Sequence, residues 1–105
     1  MELVHFSLQY FEWETEYGTL DGISDAPEFD PTSRVGIRRE LLARKMNAVR
    51  EACRRSDEVL SPWIFRHVTT GVTYPTFEAE GCPFGRDMFY DRVRKYYYIL
   101  DKIRE

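Results

Sequence analysis

At 105 residues the chain has material for one domain with a small core and not for two independent ones, and an aromatic content of 15 % gives that core large apolar areas to bury. A formal charge of −3 excludes a protein that coats nucleic acid through bulk positive charge. No stretch approaches the roughly 18 apolar residues of a membrane span, and Glu2 and His5 stand where a secretory signal carries its basic start, so a soluble, cytoplasmic protein is expected.

The charge is unevenly distributed. Residues 1–30 hold eight acids and no Lys or Arg, whereas all fifteen cations follow Ser33, against ten acids. Such asymmetry points to a nucleic-acid partner for the basic part. It divides the chain into an acidic, aromatic-rich segment with a linker (residues 1–33) and a basic region (residues 34–105), within one compact domain.

In residues 1–17 the pattern fits two structures. Val4, Leu8, Phe11 and Thr15 fall at helical spacing, while Val4, Phe6, Leu8 and Tyr10 alternate as in a strand. A helix is favoured, because a lone strand has no obvious partner elsewhere in the chain. Packing on the domain is the bland role for this segment, and docking to RNA polymerase or to a second copy is the sharper one. Residues 18–33, with Gly18, Gly22, Pro27 and Pro31, read as a loop. Their acids do not follow the order of a calcium-binding loop, so no metal is expected there.

Asp30 as cap and Pro31 at the first helical position predict the start of a long helix. Val35, Leu42, Met46, Val49 and Cys53 form its apolar stripe, widened by Leu41, Ala48 and Ala52. The opposite side carries eight cations, among them Arg38, Arg39 and Lys45, against Glu40 and Glu51. Glu40 precedes Arg44 by four residues and Glu51 precedes Arg55 by four, which is the favourable order for pairing. The surplus cations suit either a solvated face or contact with a phosphate backbone or RNA polymerase.

Cys53 and Cys82 have no metal-ligand spacing and are expected reduced. His5 and His67 are far apart in sequence, and no acid partner or oxyanion-forming glycine loop accompanies a Cys82–His67 pair. The expectation is a protein that is not an enzyme and uses no cofactor.

Ser61 followed by Pro62 starts a short helix over residues 62–70 that Gly71 stops. A second start at Thr73 and Pro75 opens a segment that ends by Gly81, with Tyr74, Phe77 and Ala79 as its inner side. Pro83 and Gly85 then make a turn. Residues 86–104 contain neither Gly nor Pro, and Phe89, Val93, Tyr96, Leu100 and Ile103 repeat at spacings of four, three, four and three, a long amphipathic helix.

Two short helices, a glycine-containing turn and a longer helix with cations in its first turns suit insertion into a DNA major groove as a helix-turn-helix. Arg86 and Tyr90 share a face and are assigned to base edges; Arg92, Arg94 and Lys95 are assigned to phosphates. The bland alternative is an ordinary surface helix. Tyr96 lies on the apolar stripe and reads as core, and three adjacent tyrosines cannot share one face.

Residues 60–105, with WIFRHVTTGVTYPTFE, a turn and GRDMFYDRVRKYYYILDK, resemble the C-terminal part of small phage-encoded transcriptional regulators of the ArpU/RinA type, helix-turn-helix proteins similar to region 4 of sigma factors. DPTSRVGIRR at residues 30–39 is similar to the linker and helix that precede the motif in that group. The resemblance covers about two thirds of the chain and implies sequence-specific binding of double-stranded DNA through residues 86–95. Gly85-Arg86-Asp87 stands where sigma-like regulators usually place Ser or Thr. The combined expectation is an all-α domain with a C-terminal helix-turn-helix and a long last helix, a DNA-binding regulator of phage or prophage origin that self-associates, as a homodimer on paired half-sites. The alternatives are an adaptor docking RNA polymerase or a phage assembly partner, and a small DNA-packaging subunit.

Overall fold

The computed structural model describes residues 2–24 and 33–104. The protein is all-α. Among the described residues six helices follow in order: α1 (Glu2–Leu8), α2 (Tyr10–Ser24), α3 (Arg34–Ser56), α4 (Ser61–Thr70), α5 (Tyr74–Ala79) and α6 (Arg86–Ile103).

The N-terminal segment is helical, but on a different face from the one the spacing suggests. Leu8 and Phe11 are exposed, while Ser7, Tyr10 and Trp13, three residues apart, are buried. A turn at Gln9, whose N–H donates to the Phe6 carbonyl at 3.2 Å, separates α1 from α2.

The loop expected from residue 18 is instead helix as far as Ser24. Each glycine within a helix costs about 1 kcal/mol relative to alanine. Packing of α2 along α3 offsets this locally unfavourable sequence. The proposed start at Asp30 and Pro31 lies outside the described residues; α3 begins at Arg34, with the Ser33 hydroxyl oxygen accepting the Gly36 N–H at 3.3 Å.

Leu42, Met46, Val49, Ala52 and Cys53 of α3 face the core, whereas Leu41, expected to widen this stripe, is exposed. Two helices run antiparallel to α3. On one side Tyr10 meets Arg50, Trp13 meets Lys45 and Glu16 meets Arg38. On the other, Arg92 near the start of α6 meets Asp57, which caps the end of α3.

α4 starts one residue before the proline expected to open it. Its cap is Leu60 rather than Ser61, without a side-chain hydrogen bond. The Leu60 N–H donates to Asp57 Oδ1 at 3.0 Å, so one aspartate serves both the end of α3 and the entry to α4. Gly71 ends α4 with φ 81°, a conformation that costs a residue with a Cβ more than it costs glycine. In α5, Tyr74 and Phe77 are buried but Ala79 is exposed, because two residues past Phe77 lies about 200° round the helix, on its outer side. The α6 stripe is as spaced: Phe89, Val93, Tyr96 and Leu100 are buried and Ile103 is half-buried.

One continuous core joins all six helices. Burying side chains such as Phe77, Phe89 and Leu100 stabilises the fold by roughly 1.5–3 kcal/mol each.

Candidate nucleic-acid interface

α6 begins with Gly85 at its cap, in extended conformation and with no side-chain hydrogen bond to the first turn. The turn from Cys82 to Gly85 leaves Arg86, Asp87 and Met88 exposed on the opening turn, while Phe89 goes into the core. Aromatic contacts hold this end against its neighbours. The Phe89 ring lies 5.5 Å from Phe77 and 5.6 Å from Tyr74, and His67 of α4 stands edge-on to Phe89 at 5.6 Å and to Tyr90 at 5.7 Å. His67 Nδ1–H donates to the Val72 carbonyl at 2.6 Å, fixing the α4–α5 connection.

Tyr90 is half-buried. Its hydroxyl oxygen accepts the Tyr74 N–H at 3.3 Å, and the Tyr74 hydroxyl donates to the Phe84 carbonyl at 2.8 Å. These two bonds fasten α5 and the Cys82–Gly85 turn to α6. The Tyr90 ring also carries Arg86, whose guanidinium carbon lies 5.9 Å from the ring centre, within cation–π range. A shallow cleft of about 470 Å³, lined by Thr73, Tyr74, Pro75, Glu78, Arg86 and Tyr90, opens between α5 and α6.

The other sequence-assigned cations of α6 differ in how far they are committed. Arg92 is engaged: its Nε donates to Asp57 at 3.1 Å and a terminal nitrogen donates to Asp91 at 2.6 Å. Burial is the largest single influence on Asp57 and raises its proton affinity, but the Leu60 and Val59 N–H groups together with Arg92 outweigh it and hold the carboxyl below the usual range. Among the described residues Arg94 pairs only with Asp91, at 3.5 Å, and its side chain is 73 % exposed. Lys95 is exposed and forms no ion pair among the described residues. Thus Arg86, Arg94 and Lys95 are available to an anionic partner at least cost, and Arg92 is available only if Asp57 and Asp91 release it.

The three cations assigned on α3 all face the acidic, aromatic α2. Arg38 binds Glu16 with both nitrogens, at 2.7 and 2.9 Å, and the Arg38 guanidinium holds the Glu16 carboxyl below its ordinary range. Arg39 pairs with Asp21 at 2.9 Å and lies over the Tyr17 ring. The Lys45 ammonium sits over the Trp13 ring at 5.5 Å. On the same helix Glu40 takes Arg44, while Glu51 takes both Arg54 and Arg55 and is held down to about 2. Arg34 has no ion-pair partner among the described residues. The two sequence-assigned groups are therefore separate: the α6 set lines an open surface, and the α3 set lies under the N-terminal segment.

Thr73 carries no signal in the sequence beyond its suitability as a cap. It makes no capping bond, and its side chain borders the cleft beside Arg86. No group of three or more His, Cys, Asp or Glu side chains able to hold a metal occurs among the described residues, and no helix among them is long and apolar enough to cross a membrane. No protein-family model, curated protein or solved structure matches this chain.

Proposed function

We propose that the protein is a sequence-specific DNA-binding transcriptional regulator of phage or prophage origin, in which α5, the turn and α6 act as a helix-turn-helix. The observation that carries this reading is the exposed start of α6, where Arg86 is braced over Tyr90 and Arg94 and Lys95 follow within three turns. An arginine held against an aromatic ring loses less side-chain freedom on binding, and its planar fork matches the paired acceptors of guanine. Arg94 and Lys95 supply phosphate contacts, and the Thr73 hydroxyl is a neutral donor beside Arg86. The resemblance to ArpU/RinA-type regulators supports the same reading. The acidic α2 already occupies Arg38, Arg39 and Lys45, so this surface contributes phosphate contacts only if α2 yields them.

The test is a selection of bound fragments from a random duplex pool, followed by titration of the winning sequence and a scrambled duplex at two salt concentrations. A recovered motif with selective, salt-sensitive binding is the expected result. Absence of enrichment together with salt-insensitive binding would overturn it.

A second reading, an adaptor for RNA polymerase or a phage assembly partner, is favoured by a different surface. Phe65, Pro62 and Cys53, with Arg50 and Arg54 at the edge, line a recess of about 370 Å³, and the exposed Phe11 ring lies 6.1 Å from Phe65. Such a recess suits an apolar side chain flanked by a carboxylate on another protein.

A further inference from the structure

The two halves of α2 are held in different ways. In the first half Tyr10 and Trp13 are buried in the core, and the Tyr10 hydroxyl accepts from Arg50. In the second half, residues 14–22, no side chain is buried, and Tyr17 and Leu20 pack against the core with only part of their surface. Charge joins this half to α3: Arg38 meets Glu16 at 2.7 and 2.9 Å, Arg39 meets Asp21 at 2.9 Å, and the Arg39 guanidinium lies over the Tyr17 ring at 5.7 Å.

The helix is also weak there in its own right. Gly18 and Gly22 stand within it, and each is a poorer helix former than alanine. The Thr15 and Thr19 hydroxyls donate to carbonyls four residues back, at 3.0 and 3.3 Å, a pattern that slightly destabilises a helix. The four ion-pair side chains are between 32 % and 52 % exposed, and pairs so exposed contribute little and weaken as salt rises. Residues 14–22 therefore belong to the part of the fold that opens most easily, while Tyr10 and Trp13 anchor the base of the helix.

The carboxylates stand where phosphates would. Glu16 takes Nε and a terminal nitrogen of Arg38, the two-point contact a guanidinium also makes with a phosphate. Asp21 holds the next residue, Arg39, and Lys45 is close enough to Glu16 to favour its ionised form. Arg34, one turn before Arg38, is exposed and has no ion pair among the described residues. An anion drawn to Arg34 thus arrives beside the covered arginines, and phosphates compete with α2 carboxylates for the same groups.

We propose that the second half of α2 is an autoinhibitory strap: Glu16 and Asp21 occupy Arg38 and Arg39, and the α3 surface joins DNA binding only when phosphates displace them. This rests on the DNA-binding reading above and adds its regulation. The strap suppresses non-specific binding, because a duplex must break two ion pairs before α3 contributes.

Fluorescence anisotropy of the full chain on a scrambled duplex of about 20 base pairs, two helical turns, at two salt concentrations tests this. Glu16→Gln combined with Asp21→Asn should bind about fivefold tighter than wild type and steepen the salt slope by about two, one for each arginine released. Glu12→Gln combined with Glu14→Gln removes the same charge from α2, but from exposed side chains without an ion pair among the described residues. That control should gain less than about twofold. Hydrogen exchange on the wild type gives a readout free of any variant's folding: with duplex at saturation in low salt, the amides of residues 17–22 should exchange faster while those of α1 keep their protection. A double variant that binds no tighter than the control, or α2 amides whose exchange is unchanged in the complex, overturns the strap and leaves the DNA-binding reading standing. No salt-sensitive binding by the wild type or either variant overturns both.

Discussion

The Tyr96 hydroxyl meets the Ser7 hydroxyl at 2.8 Å in the core, joining the first helix to the last across 89 positions of sequence. Ser7 has a single hydroxyl hydrogen, and it donates to the Leu3 carbonyl at 3.0 Å. Tyr96 is therefore the donor and Ser7 the acceptor. Burial pushes the Tyr96 hydroxyl well above the ordinary tyrosine range, so it is a protonated donor at neutral pH.

Tyr96→Phe removes this donor and should cost about 1–2 kcal/mol in urea unfolding, the usual effect of losing a buried hydrogen bond. Ser7→Ala should cost a similar amount. In the double variant the losses should be less than additive, because each single change already breaks the shared bond. Fully additive losses would mean the two hydroxyls do not pair in solution.

The two cysteines should differ sharply toward a thiol reagent. Cys53 is 1 % exposed and burial pushes its thiol up to about 12, which leaves almost no thiolate at pH 8. Cys82 lies half-buried in the turn before α6. One thiol should be modified rapidly in the native protein and the second only in denaturant. Two fast thiols would show that the α3 core opens readily.

Acid should weaken the fold in a defined window. The Glu16, Glu51 and Glu80 carboxyls are each held below their ordinary range by hydrogen-bonded arginines. A carboxyl with a depressed folded-state pKa stabilises above its unfolded-state value and loses that contribution as pH falls through the folded one. These three groups therefore leave stability flat from neutrality to about pH 5 and lower it between roughly pH 4.5 and 2. Glu51→Gln should flatten part of that acid limb and lower the neutral melting midpoint by a matching, small amount, since the limb is the neutral contribution being lost and the pair is solvent-exposed. An unaltered acid limb in thermal melts would show that the Arg54–Glu51–Arg55 cluster is not formed.

On DNA the α6 side chains should separate into two kinds. Arg86→Ala should lower affinity for the selected sequence by about 1–3 kcal/mol and for scrambled DNA far less. Arg94→Ala and Lys95→Ala should weaken both alike and reduce the salt slope by about one each. Tyr90→Phe keeps the ring under Arg86 and removes the acceptor for the Tyr74 N–H, so it should lower stability more than selectivity. Equal losses on both duplexes for Arg86→Ala, read by fluorescence anisotropy, would remove that residue from the base-reading set.

What the sequence by itself determined was local. Gly71, Pro62, Pro75 and the Pro83–Gly85 turn set the bounds of α4, α5 and α6, and the spacing from Phe89 to Leu100 named the inner face of α6, because helix stops and periodicity act within a few residues of themselves. The Glu40–Arg44 and Glu51–Arg55 pairs were legible for the same reason. Only the tertiary structure decided that α2 continues through Gly18 and Gly22, since its support comes from α3. It also decided that Leu41 stays outside, because the fold turns the neighbouring Leu42 into the core and Leu41 lies about 100° further round the helix. The state of the candidate site was likewise nonlocal. Arg38 and Arg94 look alike in sequence, yet Glu16 lies 22 positions away from Arg38 and takes both arms of its guanidinium, while Arg94 has only a long contact to Asp91. Which cations remain open depends on which distant acids the fold brings against them, and no spacing rule within one helix carries that information.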